Sequence, residues 1–131
     1  MNAVAEHNTP LVLVVEDDDL LRLASSLDLA ERGFRTIEAR TADEALAILE
    51  RCSKVDAIFT DVSMPGSMNG LALAHHVRSK KPDTYVLITS GDDLPDEAPI
   101  PPRSDFVPKP YAMPDIARRI RSQIARADSH A

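Results

Sequence analysis

The sequence predicts an α/β fold, a doubly wound parallel sheet of five strands with the helix between strands four and five missing or vestigial. Three observations carry this. Short apolar, β-branched runs alternate with amphipathic helical stretches, in the order βαβαβαβ, an irregular stretch, then βα. The runs Leu11–Val15 and Val55–Phe59 can fill both faces of a strand, which suits the middle of a parallel sheet. Acids close both stretches, Glu16 directly after Val15 and Asp61 after Thr60, where open α/β sheets keep their chemistry. Right-handed crossovers then put helices on both faces. If the strand order is 2-1-3-4-5, the binding crevice lies outside the ends of strands one and three.

In chain order, residues 1–9 read as a loose tail before the first strand, Leu11–Val15. Four acids follow without a gap, Glu16, Asp17, Asp18 and Asp19. One or two would favour a helix start. Four at the end of a buried strand repel one another, and a cation is the simplest remedy. Leu20, Leu23, Leu27 and Ala30 fall on one helical face and form the expected inner stripe, with Gly33 placed to end the helix. Phe34–Ala39 is a second strand, near the sheet edge because it carries Arg35 and Glu38. Thr41 and Glu44 form a capping box that opens a helix from Ala42 to about Cys52.

The third strand ends in Asp61, and a Met-Pro-Gly turn follows. Asn69 or Gly70 starts a third helix, with Leu71, Ala74 and Val77 inward. His75 and His76 are adjacent and point to different sides, so a structural or exposed role is favoured over metal ligation. Tyr85–Ser90 is strand four. From Gly91 to Asp105 the prolines 95, 99, 101 and 102 forbid a regular helix, leaving a loop or one short turn. Phe106 and Val107 form a stub of strand five, at an edge because Pro108 lacks a ladder donor. Pro114 suits the first turn of the last helix, whose buried stripe is Ile116, Ile120 and Ile124. Arg118, Arg119 and Arg121 read as a solvated face, and residues 128–131 should fray.

Composition narrows the function. A chain of 131 residues with 44% hydrophobic residues makes one domain, placed at 10–127. A net charge of -6 argues against nucleic-acid binding. No apolar run reaches the ~20 residues of a membrane span. The start MNAVAEHNTP has no basic region and no apolar core, so no signal peptide is expected. Cys52, the only cysteine, excludes an internal disulfide and a cysteine metal cluster, and reads as a packed thiol. A cytoplasmic location is expected from these absences.

Taken alone, Asp61 reads as a strand end or a cap. The predicted topology, however, brings Glu16, Asp17, Asp61, Thr89 and Lys109 from four strands to one rim. Here the sequence resembles the receiver domain of two-component response regulators. The likeness covers roughly residues 10–127 and rests on LVLVVEDD (11–18), FTDVSMPG (59–66), VLITSG (86–91) and FVPKPY (106–111). The resemblance implies a flavodoxin-like fold and a phosphoryl group taken from a phosphohistidine on a sensor histidine kinase or a histidine phosphotransfer protein. It implies Asp61 as acceptor, Lys109 and Thr89 as its catalytic partners, and a cis Lys109–Pro110 bond. It implies Mg²⁺ held by Asp17, Asp61 and the Ser63 carbonyl, with Glu16 acting mostly through water. Thr89 and Phe106 would form the switch, and Phe106 replaces the commoner Tyr. Ser63 and Gly91 stand where fast members carry an amide or an acid that orients the hydrolytic water, so slow loss of the phosphoryl group is expected.

The same residues leave the output partner open, and a homodimer is compatible with them. A stand-alone receiver is expected, because no effector domain follows in the sequence. Two other readings stand beside this one. An aspartyl-nucleophile phosphatase would resemble the haloacid dehalogenase-like enzymes, which need a second Asp two residues on, where this chain has Ser63. A receiver-like adaptor would never be phosphorylated, although nearly all of the acidic site is present.

Overall fold

Short runs of β-branched and apolar residues pair as one parallel sheet in the computed structural model, which describes residues 9–64, 66, 68–91 and 99–129. The strands are β1 (Leu11–Val15), β2 (Arg35–Ala39), β3 (Ala57–Asp61), β4 (Tyr85–Ser90) and β5 (Ser104–Pro108). Their order is β2-β1-β3-β4-β5, with every neighbouring pair parallel. The central strands are buried on both faces, as their continuous apolar runs require. The less buried strands, β2 and β5, take the edges. β5 spans five residues rather than two, because Ser104, Asp105 and Pro108 also pair with β4.

The helices are α1 (Asp19–Glu31), α2 (Ala42–Arg51), α3 (Gly70–Lys80) and α4 (Met113–Ser129). α2 and α3 cover one face of the sheet, where Ile48, Leu49, Leu73 and Val77 meet Leu13, Ile58, Val86 and Ile88. α1 and α4 cover the other, where Leu29, Ile116 and Ile120 meet Val12, Phe59, Tyr85 and Leu87. Side-chain caps fix three helix starts. Asp18 accepts from the Leu21 N–H, Thr41 from Glu44 and Asn69 from Ala72, each satisfying an orphan donor. The Glu44 carboxylate reaches back to the Arg40 N–H, one residue before the cap. Gly33 follows α1 with φ +101°, a conformation that favours glycine.

The expected inner stripe of α1 is wrong. Leu20, Leu23 and Leu27 are 76%, 47% and 57% exposed, and Ala30 is exposed too. The buried positions are Arg22, Ser26 and Leu29. Hydrogen bonds decide the rotation of this helix. Arg22 Nε donates to Glu38 Oε1 at 3.1 Å and Ser26 Oγ to Thr36 Oγ1 at 2.8 Å. Four residues of helix rise about 6 Å and two residues of strand about 6.6 Å, so the two pairs stack without distortion. Lesser corrections follow. Leu73 rather than Leu71 is the fully buried leucine of α3. Arg121 is exposed but not merely solvated, since its guanidinium lies 4.3 Å from the centre of the Phe34 ring.

Among the described residues no helix connects β4 to β5. The expectation of an irregular segment holds for 99–103, while 92–98 lie outside the described residues. Arg78 binds the described part to α3. Its guanidinium donates to the carbonyls of Pro102, Lys81, Thr84 and Arg103 at 2.5–3.0 Å. His75 Nε2 lies 2.9 Å from the Pro99 carbonyl, the structural role expected of it.

The rotation of α1 has a direct test. Leu29→Ala should cost about 2–5 kcal/mol of stability by emptying a buried site. Leu27→Ala should change it by no more than about 0.5 kcal/mol. Urea denaturation of the two variants measures this, and equal losses would contradict the orientation described.

Candidate functional site

Asp61 stands where β3 runs out of the core, and its carboxylate is 11% exposed. A carboxylate so placed needs partners. Lys109 Nζ lies 2.8 Å from Oδ2, and the Ser63 N–H donates to Oδ1 at 3.1 Å. β5 delivers the lysine. The Lys109 N–H donates to the Ser90 carbonyl at 2.8 Å, which continues the ladder past Pro108, and the Lys109–Pro110 bond is cis as expected. The hydrogen bond to Asp61 raises the ammonium pKa above its ordinary value, against the opposing effect of burial.

Thr89 is the register partner of Asp61 and is buried. Its carbonyl accepts the Val62 N–H at 2.8 Å, so the two strand ends stay tied beyond the last pair. Glu16 follows β1. Burial raises its carboxyl above the usual range, a hydrogen bond from the Asp18 N–H opposes this, and repulsion from Asp61 and Asp17 adds to the rise. Asp17 is exposed beside it. Phe106 lies on the other face, half-buried and packed against the core under α2 and α3. Its strand partner is Ile88, and Val107 is the partner of Thr89.

The donor set is hard oxygen throughout: Asp61 and Glu16 act on the Lys109 ammonium, and Asp17 lies beside Glu16. Among the described residues, no three carboxylate, histidine or cysteine side chains close around one point as metal ligands. A fully caged metal is therefore not what this rim offers. Mg²⁺ takes one or two carboxylates and keeps several waters, so the rim and its surplus negative charge fit that ion.

Two residues that sequence reasoning passed over shape the rim. Gly70, read only as a helix start, sits directly against β3. Its N–H donates to the Val62 carbonyl at 2.9 Å, and a Cβ there would collide with the Asp61 carbonyl and come within 3.0 Å of Val62 Cα. The Asn-Gly pair was a signal of a close approach as well as of a cap. Tyr111 places its ring edge-on to Phe59, 5.6 Å between centroids, beside the cis peptide.

The family model of the response regulator receiver domain matches residues 12–121. The chain belongs to that family. The chain is 32% identical over 121 residues to the sensor kinase CckA of Brucella abortus, covering 89% of this chain and 13% of that protein. It is 29% identical over 118 residues to the probable transcriptional regulatory protein TcrX of Mycobacterium tuberculosis, covering 88% and 50%. The receiver thus spans half or less of the length of these two relatives. The crystallised receiver domain of the hybrid histidine kinase CckA has a TM-score of 0.72 at 30% identity, covering 87% of this chain and 98% of that one. A receiver domain protein from Methanospirillum hungatei has a TM-score of 0.83 at 19% identity, covering 95% and 100%, and shows the fold alone. Receiver domains are signalling domains of two-component systems. No helix among the described residues of this receiver is long and apolar enough to cross a membrane.

Glu16 supplies a test of the rim's electrostatics. Its folded pKa is raised, so the folded state holds the proton more tightly than the unfolded chain. That contribution is fully present below the ordinary carboxylate range and is lost as pH rises through the raised value. Without divalent metal, Glu16→Gln should therefore raise the melting midpoint by a few degrees at neutral pH and leave it unchanged well below pH 4. Melting curves at both pH values decide it, and a lower midpoint at neutral pH would count against the repulsion.

Proposed function

We propose that this receiver is a Mg²⁺-dependent phosphoacceptor that takes a phosphoryl group from a phosphohistidine onto Asp61 and thereby changes which partners it binds. The observation that carries this is the Asp61 carboxylate, held at a buried strand end between Lys109 Nζ and the Ser63 N–H. A carboxylate oxygen of Asp61 attacks phosphorus, the phosphorus–nitrogen bond of the donor breaks, and the imidazole leaves with the electron pair. Lys109 exchanges its pairing with Asp61 for a phosphoryl oxygen. The Thr89 hydroxyl donates to another. Asp17, Asp61 and the Ser63 carbonyl would hold Mg²⁺, with Glu16 acting through water. The ion would neutralise charge on the transferring group.

The donor's docking surface is read from α1. Its exposed leucines 20, 23 and 27 lie on the helix that begins immediately after the acidic pair. An apolar face next to an acceptor suits a helical partner that must bring its histidine to Asp61. Change of partner binding would run from Thr89 through β4 and β5 to Phe106. Phe106 pairs with Ile88 and Val107 with Thr89, so the paired strands would carry the movement.

Three outcomes are expected. Incubation with Mg²⁺ and a small phosphodonor should add one phosphoryl mass to the intact protein, and Asp61→Asn should abolish it without loss of fold. An adduct that survives in the variant overturns the assignment. Leu23→Asp should slow transfer from a phosphohistidine protein at least tenfold while leaving the small-donor reaction unchanged. Gly91→Glu should quicken decay of the adduct by about one to two powers of ten. Among the described residues, nothing lies within 4 Å of a Cβ at Gly91. Equal decay in both proteins would show that the water is oriented elsewhere.

A further inference from the structure

An arginine occupies the innermost face of α1 where an apolar residue was expected. Arg22 is 9% exposed, and three of its nitrogens go to three different segments. Nε donates to Glu38 Oε1 on β2 at 3.1 Å. Nη2 donates to Asp19 Oδ1, within the first turn of α1, at 2.8 Å. Nη1 donates to the main-chain carbonyl of Glu16 at 3.0 Å. The two carboxylates more than offset the guanidinium charge, and Asp19 is shared with Arg40 at 3.2 Å, so the third bond is one of geometry. The Glu16 N–H, meanwhile, donates to the Ala39 carbonyl at 3.0 Å. Both main-chain polar groups of Glu16 are thus fixed, one by β2 and one by Arg22.

We infer that Arg22 is a positioning residue for the metal-binding loop, holding the Glu16–Asp17 peptide plane so that both carboxylates face Asp61. The inference rests on the phosphoacceptor reading above. A peptide unit is rigid, and its plane contains the carbonyl oxygen of one residue and the Cα of the next. Fixing the Glu16 oxygen therefore fixes the Cα from which the Asp17 carboxylate projects. Without that anchor the plane can turn its carbonyl towards water, and Asp17 turns with it. Only a planar fork with donors in three directions meets these acceptors together. A lysine keeps the charge but is a point donor on a flexible stem, and it cannot hold all three. Outer-shell partners that orient metal ligands typically change affinity 10–100-fold when lost.

The test is Mn²⁺ binding by electron paramagnetic resonance, with Mn²⁺ standing in for Mg²⁺, together with the Mg²⁺ dependence of adduct formation. Arg22→Lys should raise the half-saturating metal concentration about tenfold in both measurements. The adduct rate at saturating Mg²⁺ should stay within a factor of two, because the acceptor, Lys109 and Thr89 are untouched. A purely structural arginine would lower the metal-free melting midpoint and leave the half-saturating concentration where it was. That result overturns the inference. Glu38→Ala, which frees one arm of the guanidinium, should shift the metal dependence in the same direction by about threefold, and it carries the test if Arg22→Lys does not fold. No shift in Glu38→Ala then overturns the inference. A wild-type protein that binds no Mn²⁺ and forms no adduct overturns the phosphoacceptor reading and this inference with it. Normal wild-type binding matched by both variants overturns the inference alone.

Discussion

The pairing of Asp61 with Lys109 is the contact on which the rest of the rim depends. A carboxylate at the end of a strand buried on both faces has lost much of its water, and only a cation or donated hydrogens make that position tenable. The ammonium arrives from the far edge of the sheet, two strands away. β4 must therefore keep its register with both β3 and β5, and the Asp61–Thr89 and Thr89–Val107 pairs fix it. Gly70 completes the arrangement from the other side, letting α3 start against the Asp61 main chain. Local sequence near the acid, distant sequence on β5 and a missing side chain on α3 thus converge on one carboxylate.

The two faces of the sheet are built by different means. Under α2 and α3 the contacts are aliphatic, and the helices bury alanine, isoleucine, leucine and valine. Under α1 the outer part of the contact is polar, Arg22 with Glu38 and Ser26 with Thr36, and Leu29 is the one apolar residue that α1 places in that core. Hydrogen bonds specify direction in a way that aliphatic packing does not. The helix that carries the acidic loop at its start is accordingly held in one rotation, and its leucines are released to the outside.

Much of this was legible in the sequence. The strands, their parallel pairing and the rim that gathers Asp61, Thr89 and Lys109 follow from apolar runs whose ends carry functional groups, and the topology does the rest. The α1 face was not legible, for a physical reason. Leu20, Leu23 and Leu27 satisfy the helical period as well as any buried stripe, and periodicity alone cannot tell a core from an exposed apolar face. What decides is a set of partners on β2, Glu38 and Thr36, that become neighbours only after the sheet forms. Gly70 was hidden similarly, since the space it must leave empty is defined by a chain segment nine residues earlier. The length of β5 was underestimated because Ser104 and Asp105 carry no strand signal of their own and pair through main-chain groups.

The guanidinium of Arg78 shows how residues 99–103, the described end of the connection from β4 to β5, are held without a helix of their own. A helix satisfies its own carbonyls, whereas prolines bring acceptors to a segment and no donors. Arg78 supplies the missing hydrogens from α3, to carbonyls on both sides of β4. The path of residues 99–103 is in this sense written on the neighbouring helix rather than in the segment itself. Arg78 and His75, both on α3, hold residues 99–103 from outside the segment. A change at Arg78 would therefore be felt first in the path of the chain into β5, a strand to which the arginine does not belong.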